Sequence, residues 1–465
     1  MGKNNLQFVW NGIDLEQLRQ QMDTACDDAV LAVYNSDDEL DLRDILKKMA
    51  TNDSFVTTEF PKVMHDFVQK ELTYPFTEED IRQFELTHEV WKKKGMYFVF
   101  ILFFRALPYT YMAEKPANVL RITKLLKEHT ERRVFETAQF VFDVMDEHWW
   151  TPEKRGILTA LKVRIMHSAM RHLIKNSRVE GEEWNKEWGQ PISQEDLIAT
   201  NQVFSLEYFK GMEMLGEPLT EEEQAAWFHT WKTIGRIMGV KDELIAKDVA
   251  DAWELQHKVY AHLFKDKTEA GIPLATALVK TLDHFHLPEK LSLLMMRKML
   301  ADEQFPDCFN RMLGPTFSTD EKYNKLFEKH ADPHKAEDHE DELDGHLKDE
   351  LHQYHKIMQE KKSQYRKKGF LAWIQEMILV VVSFFGGDIT KDQQLIDIHI
   401  KGLHISIHVP GTDLPVDQLE EDAIEDSLKS VGGIMIAILN HHFRKDKNSG
   451  FRIPQSLQDH WAMKG

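Results

Sequence analysis

The chain has 465 residues, of which 42% are hydrophobic and 29% charged, and a formal net charge of −19. That length can bury a large core, in more than one domain. The acidic balance argues against general nucleic-acid binding, which rests on Lys and Arg neutralising phosphates.

Two cysteines, Cys26 and Cys308, are too few for a disulfide framework or a cysteine zinc site. No Cys-x-x-Cys-His occurs, so a covalently attached c-type haem is excluded. The segment Met1-Gly-Lys-Asn-Asn-Leu-Gln has no long apolar run, so no signal peptide is expected and the expected location is cytoplasmic. Gly2 lacks a Ser or Thr at the myristoylation offset.

Helical signals dominate the chain in order. Residues 1–85 read as an N-terminal helical extension and 86–320 as an all-helical core domain. Thr77-Glu-Glu-Asp80, Ser193-Gln-Glu-Asp196 and Thr220-Glu-Glu-Glu223 are capping-type starts, each leading into an apolar-periodic run. Met96–Leu107 is strongly apolar and is stopped by Arg105 and Pro108; Phe370–Phe385 is broken by Gln375 and Glu376. Both fall short of the ~20 residues of a spanning helix and read as buried core helices. Residues 321–369 are charged and read as a linker or solvated helix, its histidines lying among carboxylates. Short basic runs, Lys92–Lys94 and Lys361–Lys368, read as solvated faces or local membrane-surface contacts.

The C-terminal extension, 370–465, switches period. Ile396-Asp-Ile-His-Ile400, Lys401-Gly402 and Leu403-His-Ile-Ser-Ile-His-Val409 alternate apolar and polar around a two-residue turn, which predicts a β-hairpin. His399, His404 and His408 would share its polar face. Ser427–Phe443 reads as a closing helix.

Two polar faces on apolar helices are the candidate site. Arg164, His167 and Arg171 lie at i, i+3 and i+7, within ~60° on one helical face at ~100° per residue. A lone imidazole between guanidiniums suits an anionic, metal-bearing prosthetic group: the ring binds metal and the guanidiniums bind carboxylates. Taken alone, such a face more often describes a satisfied core histidine than a ligand. About thirty residues earlier, Arg133, Glu136 and Thr137 share a face (i, i+3, i+4) ahead of the apolar run Phe140–Met145. Taken alone, Arg133 and Glu136 read as an intrahelical ion pair.

Six segments in order resemble those of one family. Phe103-Phe-Arg-Ala-Leu-Pro108-Tyr-Thr-Tyr111 and Asn118–Leu125 come first. Arg132–Val141 and Lys162–Arg171 follow, the latter carrying Arg-x-x-His-x-x-x-Arg. Trp184-Asn-Lys-Glu-Trp188-Gly189-Gln-Pro191-Ile-Ser-Gln194-Glu195-Asp196 and Trp231-x-x-x-Gly235-x-x-x-Gly239 complete the series. Together they are similar to the catalytic domain of the MpaB/rubber-oxygenase family, which includes the latex-clearing proteins.

The resemblance implies an all-α haem-binding bundle holding a non-covalent haem b, with His167 as its proximal metal ligand and Arg164 and Arg171 binding the cofactor. It implies dioxygen as co-substrate and cleavage or oxidation of a carbon–carbon double bond in a small apolar, isoprenoid or lipid-like molecule. Arg133, Glu136 and Thr137 would be the catalytic residues on the distal side. Where rubber-cleaving members carry lysine this chain has Glu136, which is closer to the MpaB-like branch. A haem-binding protein without oxygenase activity, or a helical interaction protein that has lost haem, are the alternative readings.

Overall fold

The computed structural model describes residues 10, 12–35, 61–122, 137–147, 150–151, 154–176, 183–264, 268–284, 289–301, 304–317 and three strands between 388 and 408. Arg133, Glu136, the charged segment 321–369, the apolar stretch Phe370–Phe385 and the expected helix Ser427–Phe443 lie outside the described residues. Up to residue 317 the described elements are helical.

In chain order the helices used below are α1 (Leu15–Arg19), α2 (Thr24–Tyr34), α3 (Lys62–Leu72), α4 (Glu78–Ile101), α5 (Leu107–Tyr111), α6 (Glu114–Ile122), α7 (137–145) and α8 (Arg155–Lys175). They are followed by α9 (Gln194–Gln202), α10 (Tyr208–Leu215), α11 (Glu221–Ile237), α12 (Val249–Leu263) and α13 (Gly271–His284). All three predicted capping boxes form. Thr77, Ser193 and Thr220 each accept from the backbone of the third helical residue, whose carboxylate reaches back to the cap. Each box satisfies two amides that the first turn leaves without helical partners.

The apolar stretch after Met96 is a core helix, as its length predicts: Tyr97 to Phe104 are all buried. It ends in a π-helical turn, Leu102–Ala106, which packs beside a second one, Val203–Glu207, between α9 and α10. Sequence periodicity gives no sign of either turn. Each presents a buried charged residue to the other: Arg105 Nε donates to Glu207 Oε2 at 2.7 Å. Tyr260 Oη completes the group by donating to Glu207 Oε1 at 2.8 Å.

The boundary drawn near residue 85 does not divide the packing. Trp10, Leu18, Cys26, Val30 and Val33 belong to the same hydrophobic core as Trp91, Trp227 and Trp231. Helix α2 lies on α8, and α1 lies on α9.

In the C-terminal extension, strands Leu395–Ile400 and Leu403–His408 pair antiparallel with Ile400 opposite Leu403, Ile398 opposite Ile405 and Ile396 opposite Ile407. This is the register the alternation predicts. A preceding strand, Asp388–Asp392, adds to the other edge of Leu395–Ile400.

Candidate active-site cavity

Helix α8 explains how one histidine is singled out. Val163, Met166, His167 and Met170 line a cavity of about 310 Å³. The face next to it carries Arg164, Ser168 and Arg171, all buried. His167 stands at the seam between the two: about 40–60° separates it from the arginines, and a similar angle from Val163 and Met170. Its Nδ1 atom is shielded from solvent.

The rest of the cavity wall comes from α5–α7, α9, α11 and α12. Thr137, at the start of α7, lines it together with Phe140. Phe204 and Trp231 form a flat wall, their rings stacked 4.7 Å apart at 9°. Phe98 lies beside this pair, nearly parallel to both rings, 6.4 Å from Trp231 and 6.5 Å from Phe204. Tyr260 also faces the cavity; burial pushes its phenol well above the usual range, and the Glu207 carboxylate adds to the rise.

The structure corrects the expectation for the two arginines. Arg164 makes a two-pronged pair with Asp23, Nε to Oδ2 at 2.6 Å and Nη2 to Oδ1 at 2.9 Å, and donates to the Ile237 carbonyl at 3.0 Å. Burial disfavours its charge, but Asp23 holds it above the ordinary guanidinium value. Arg171 donates to Asp27 Oδ1 at 2.8 Å and to the Ile192 carbonyl at 3.2 Å. Neither arginine lines the cavity. Both bind carboxylates, as guanidiniums should, but the carboxylates are the chain's own.

Several of the remaining motif residues turn toward the same N-terminal segment. Gln194 donates from Nε2 to the carbonyls of Met22 (3.3 Å) and Gly239 (2.9 Å). Asp196, whose residue also borders the cavity, accepts from Arg19 Nη1 at 2.6 Å. Gly189 (φ +77°) and Gly239 (φ +96°) adopt left-handed backbone that favours glycine. A Cβ on Gly189 would stand 2.7 Å from the Arg19 carbonyl oxygen, and one on Gly239 would stand 2.4 Å from Asp23 Oδ2. Ile192 takes a left-handed conformation (φ +53°) without being glycine, and it lines the cavity.

Other charged groups are structural. Glu114 Oε2 accepts from the Ala270 amide at 2.7 Å, ahead of α13, and burial raises its pKa. Burial likewise pushes the Cys26 thiol up to about 12, so it stays protonated. Among the described residues no three His, Cys, Asp or Glu side chains converge as a metal site. No described helix is long and apolar enough to cross a membrane.

The donor set can be tested against the cofactor expected from the sequence. A single imidazole on an apolar wall cannot hold a bare ion, which needs three or four protein ligands. It suits a metal that brings its own planar set of ligands, and the Phe204–Trp231 slab suits a flat macrocycle. The lone histidine donor and the aromatic lining are therefore of the kind that could hold haem; no lysine or arginine lines the cavity among the described residues.

Comparison with known proteins agrees with this architecture. Residues 95–328, just over half of the chain, match the catalytic domain of the ER-bound oxygenase mpaB/B'/rubber oxygenase family, and the chain belongs to that family. A rubber oxygenase of Streptomyces sp. (strain K30) is 30% identical over 129 residues, which cover 27% of this chain and 31% of that protein. The solved structure of a latex clearing protein, LCP in the closed state, superposes with a TM-score of 0.52 at 20% identity. It covers 68% of this chain and 85% of its own, and shows that the fold is shared.

Proposed function

We propose that this protein is a haem b-dependent oxygenase that uses dioxygen to cleave or oxidise a carbon–carbon double bond of an isoprenoid or lipid-like molecule. Membership of the oxygenase family supports the reaction class. The observation that carries the reading on this chain is His167 on the wall of an apolar, aromatic-lined cavity. The His167 imidazole would hold the iron of the haem. Haem bound there supplies the activation of dioxygen. Thr137 contributes a hydroxyl-bearing side chain to the cavity wall, and the Phe204–Trp231 pair makes part of that wall apolar. Glu136, next in sequence to Thr137, serves as proton donor or base, with Arg133 beside it in the motif. An apolar cavity with few polar groups selects an apolar substrate.

The test is spectroscopic first. The wild-type protein should bind haemin with a Soret band that is lost in His167→Ala, and should consume dioxygen with prenyl substrates to give aldehyde or ketone products. A wild-type protein that takes up no haemin refutes the reading. Haemin bound without turnover of prenyl or unsaturated-lipid substrates leaves a haem-binding protein that is not an oxygenase.

A further inference from the structure

The matched catalytic domain begins at residue 95, yet helix α8 is held by residues far ahead of it. Asp23 caps α2 and pairs with Arg164; Asp27, one turn further on, pairs with Arg171 and accepts from Ser168 Oγ at 2.6 Å. His167 lies between the two arginines, one turn from each. The pairs thus pin α8 on both sides of the imidazole and on the face adjoining it.

The consequence for His167 follows from helix geometry. Side chains reach about 6 Å from a helix axis, so turning α8 by about 20° would displace the imidazole by about 2 Å. Metal–ligand distances hold to within about 0.2 Å. The helix's own start has no side-chain cap hydrogen bond, and Thr159 Oγ1 ties its first turns to Asp143 at 2.6 Å, two turns ahead of His167.

We propose, resting on the haem reading above, that Asp23 and Asp27 are positioning residues for His167. They fix the rotation of α8 that turns the imidazole into the cavity, and so set how tightly the site holds haem. The N-terminal segment is then part of the cofactor site although none of its described residues lines the cavity. Gly189 and Gly239 serve the same end, leaving room for the Arg19 backbone and the Asp23 carboxylate.

A mutant cycle in the full-length protein tests this. Haemin is titrated into wild type, Asp27→Asn, His167→Gly and the double variant, with saturating free imidazole supplied to the two glycine variants. With His167 present, Asp27→Asn should weaken haemin binding about tenfold, as loss of outer-shell support does at metal sites. The iron–imidazole stretch of the ferrous protein should shift in resonance Raman spectra. With free imidazole as ligand, no longer tethered to α8, the Asp27→Asn effect should shrink to within about twofold.

Equal losses in both backgrounds would show a purely structural role and overturn the proposal, as would an unchanged affinity and Raman band in Asp27→Asn. If Asp27→Asn does not fold, Asp27→Glu, which keeps the charge and displaces it, is carried through the same cycle with the same criteria. Failure of wild type to bind haemin overturns the haem reading and this inference with it. Normal wild-type binding with unmoved variants overturns this inference alone.

Discussion

Removing the charge of Asp23 while leaving Arg164 in place isolates a guanidinium in the protein interior. The two side chains are 5% and 8% exposed. Without Asp23, Arg164 keeps the Ile237 carbonyl and a 3.4 Å approach to Glu71. Breaking one partner of a buried pair costs about 3–5 kcal/mol, because the remaining charge stays desolvated. The retained contacts place Asp23→Asn at the lower end, about 3 kcal/mol. Asn preserves the N-cap of α2, whereas Asp23→Ala also loses the cap and about 1 kcal/mol more. Removing both charges, Asp23→Asn with Arg164→Met, leaves neither member of the pair as an unpaired ion, and Glu71 keeps Arg236 at 3.7 Å, so the double variant should lose less than the two single losses summed, by about 2 kcal/mol or more. Urea unfolding gives the global figure, and hydrogen exchange of the Thr24–Tyr34 amides reports the local one. A loss below about 1 kcal/mol for Asp23→Asn, or additive single and double variants, would refute the argument that this pair locks α2 to α8.

Two further predictions concern the same region. His262 is held between Glu195 (Nδ1, 2.6 Å) and Glu16 (Nε2, 2.8 Å); these hydrogen bonds raise its pKa against the opposing effect of burial. The same His262 contact lowers Glu16. A raised histidine stabilises the folded state fully below its unfolded value of about 6.5 and loses that contribution as pH rises through the folded value. A lowered carboxylate contributes above about pH 4.3 and loses its effect on acidification through the folded value. Docking of α1 should therefore weaken above neutral pH, seen as faster proteolysis near Arg19, and His262→Gln should flatten that alkaline dependence; an unchanged profile would refute it. At Ile192 the left-handed backbone reverses the usual order of substitutions: Ile192→Gly should be more stable than Ile192→Ala by about 1 kcal/mol in thermal unfolding. Alanine proving the more stable would show that this conformation is not under strain.

Much of the local architecture was legible because it depends on neighbours in sequence. The capping boxes need a hydroxyl and a carboxylate three residues apart, and all three formed where that spacing occurs. The hairpin register follows from strict alternation about Lys401-Gly402. His167 stood out because an imidazole on an apolar helix demands a partner, and the cavity beside it fits that demand. The two π-helical turns were not legible: an extra residue shifts the phase of a helical face, and where every position is apolar, as in Tyr97–Phe104, that shift leaves no mark on the pattern.

What sequence could not decide was the destination of each polar group on α8. A period of 3.6 residues places Arg164, His167 and Arg171 on one side, but an arc of ~60° can straddle two neighbours. The sequence by itself determined the helices, their caps and the histidine. Tertiary packing sent the two arginines to Asp23 and Asp27, some 140 residues away along the chain, and left His167 at the cavity. The reason is physical: a buried guanidinium must meet a carboxylate, and only the folded chain determines which carboxylate is within reach.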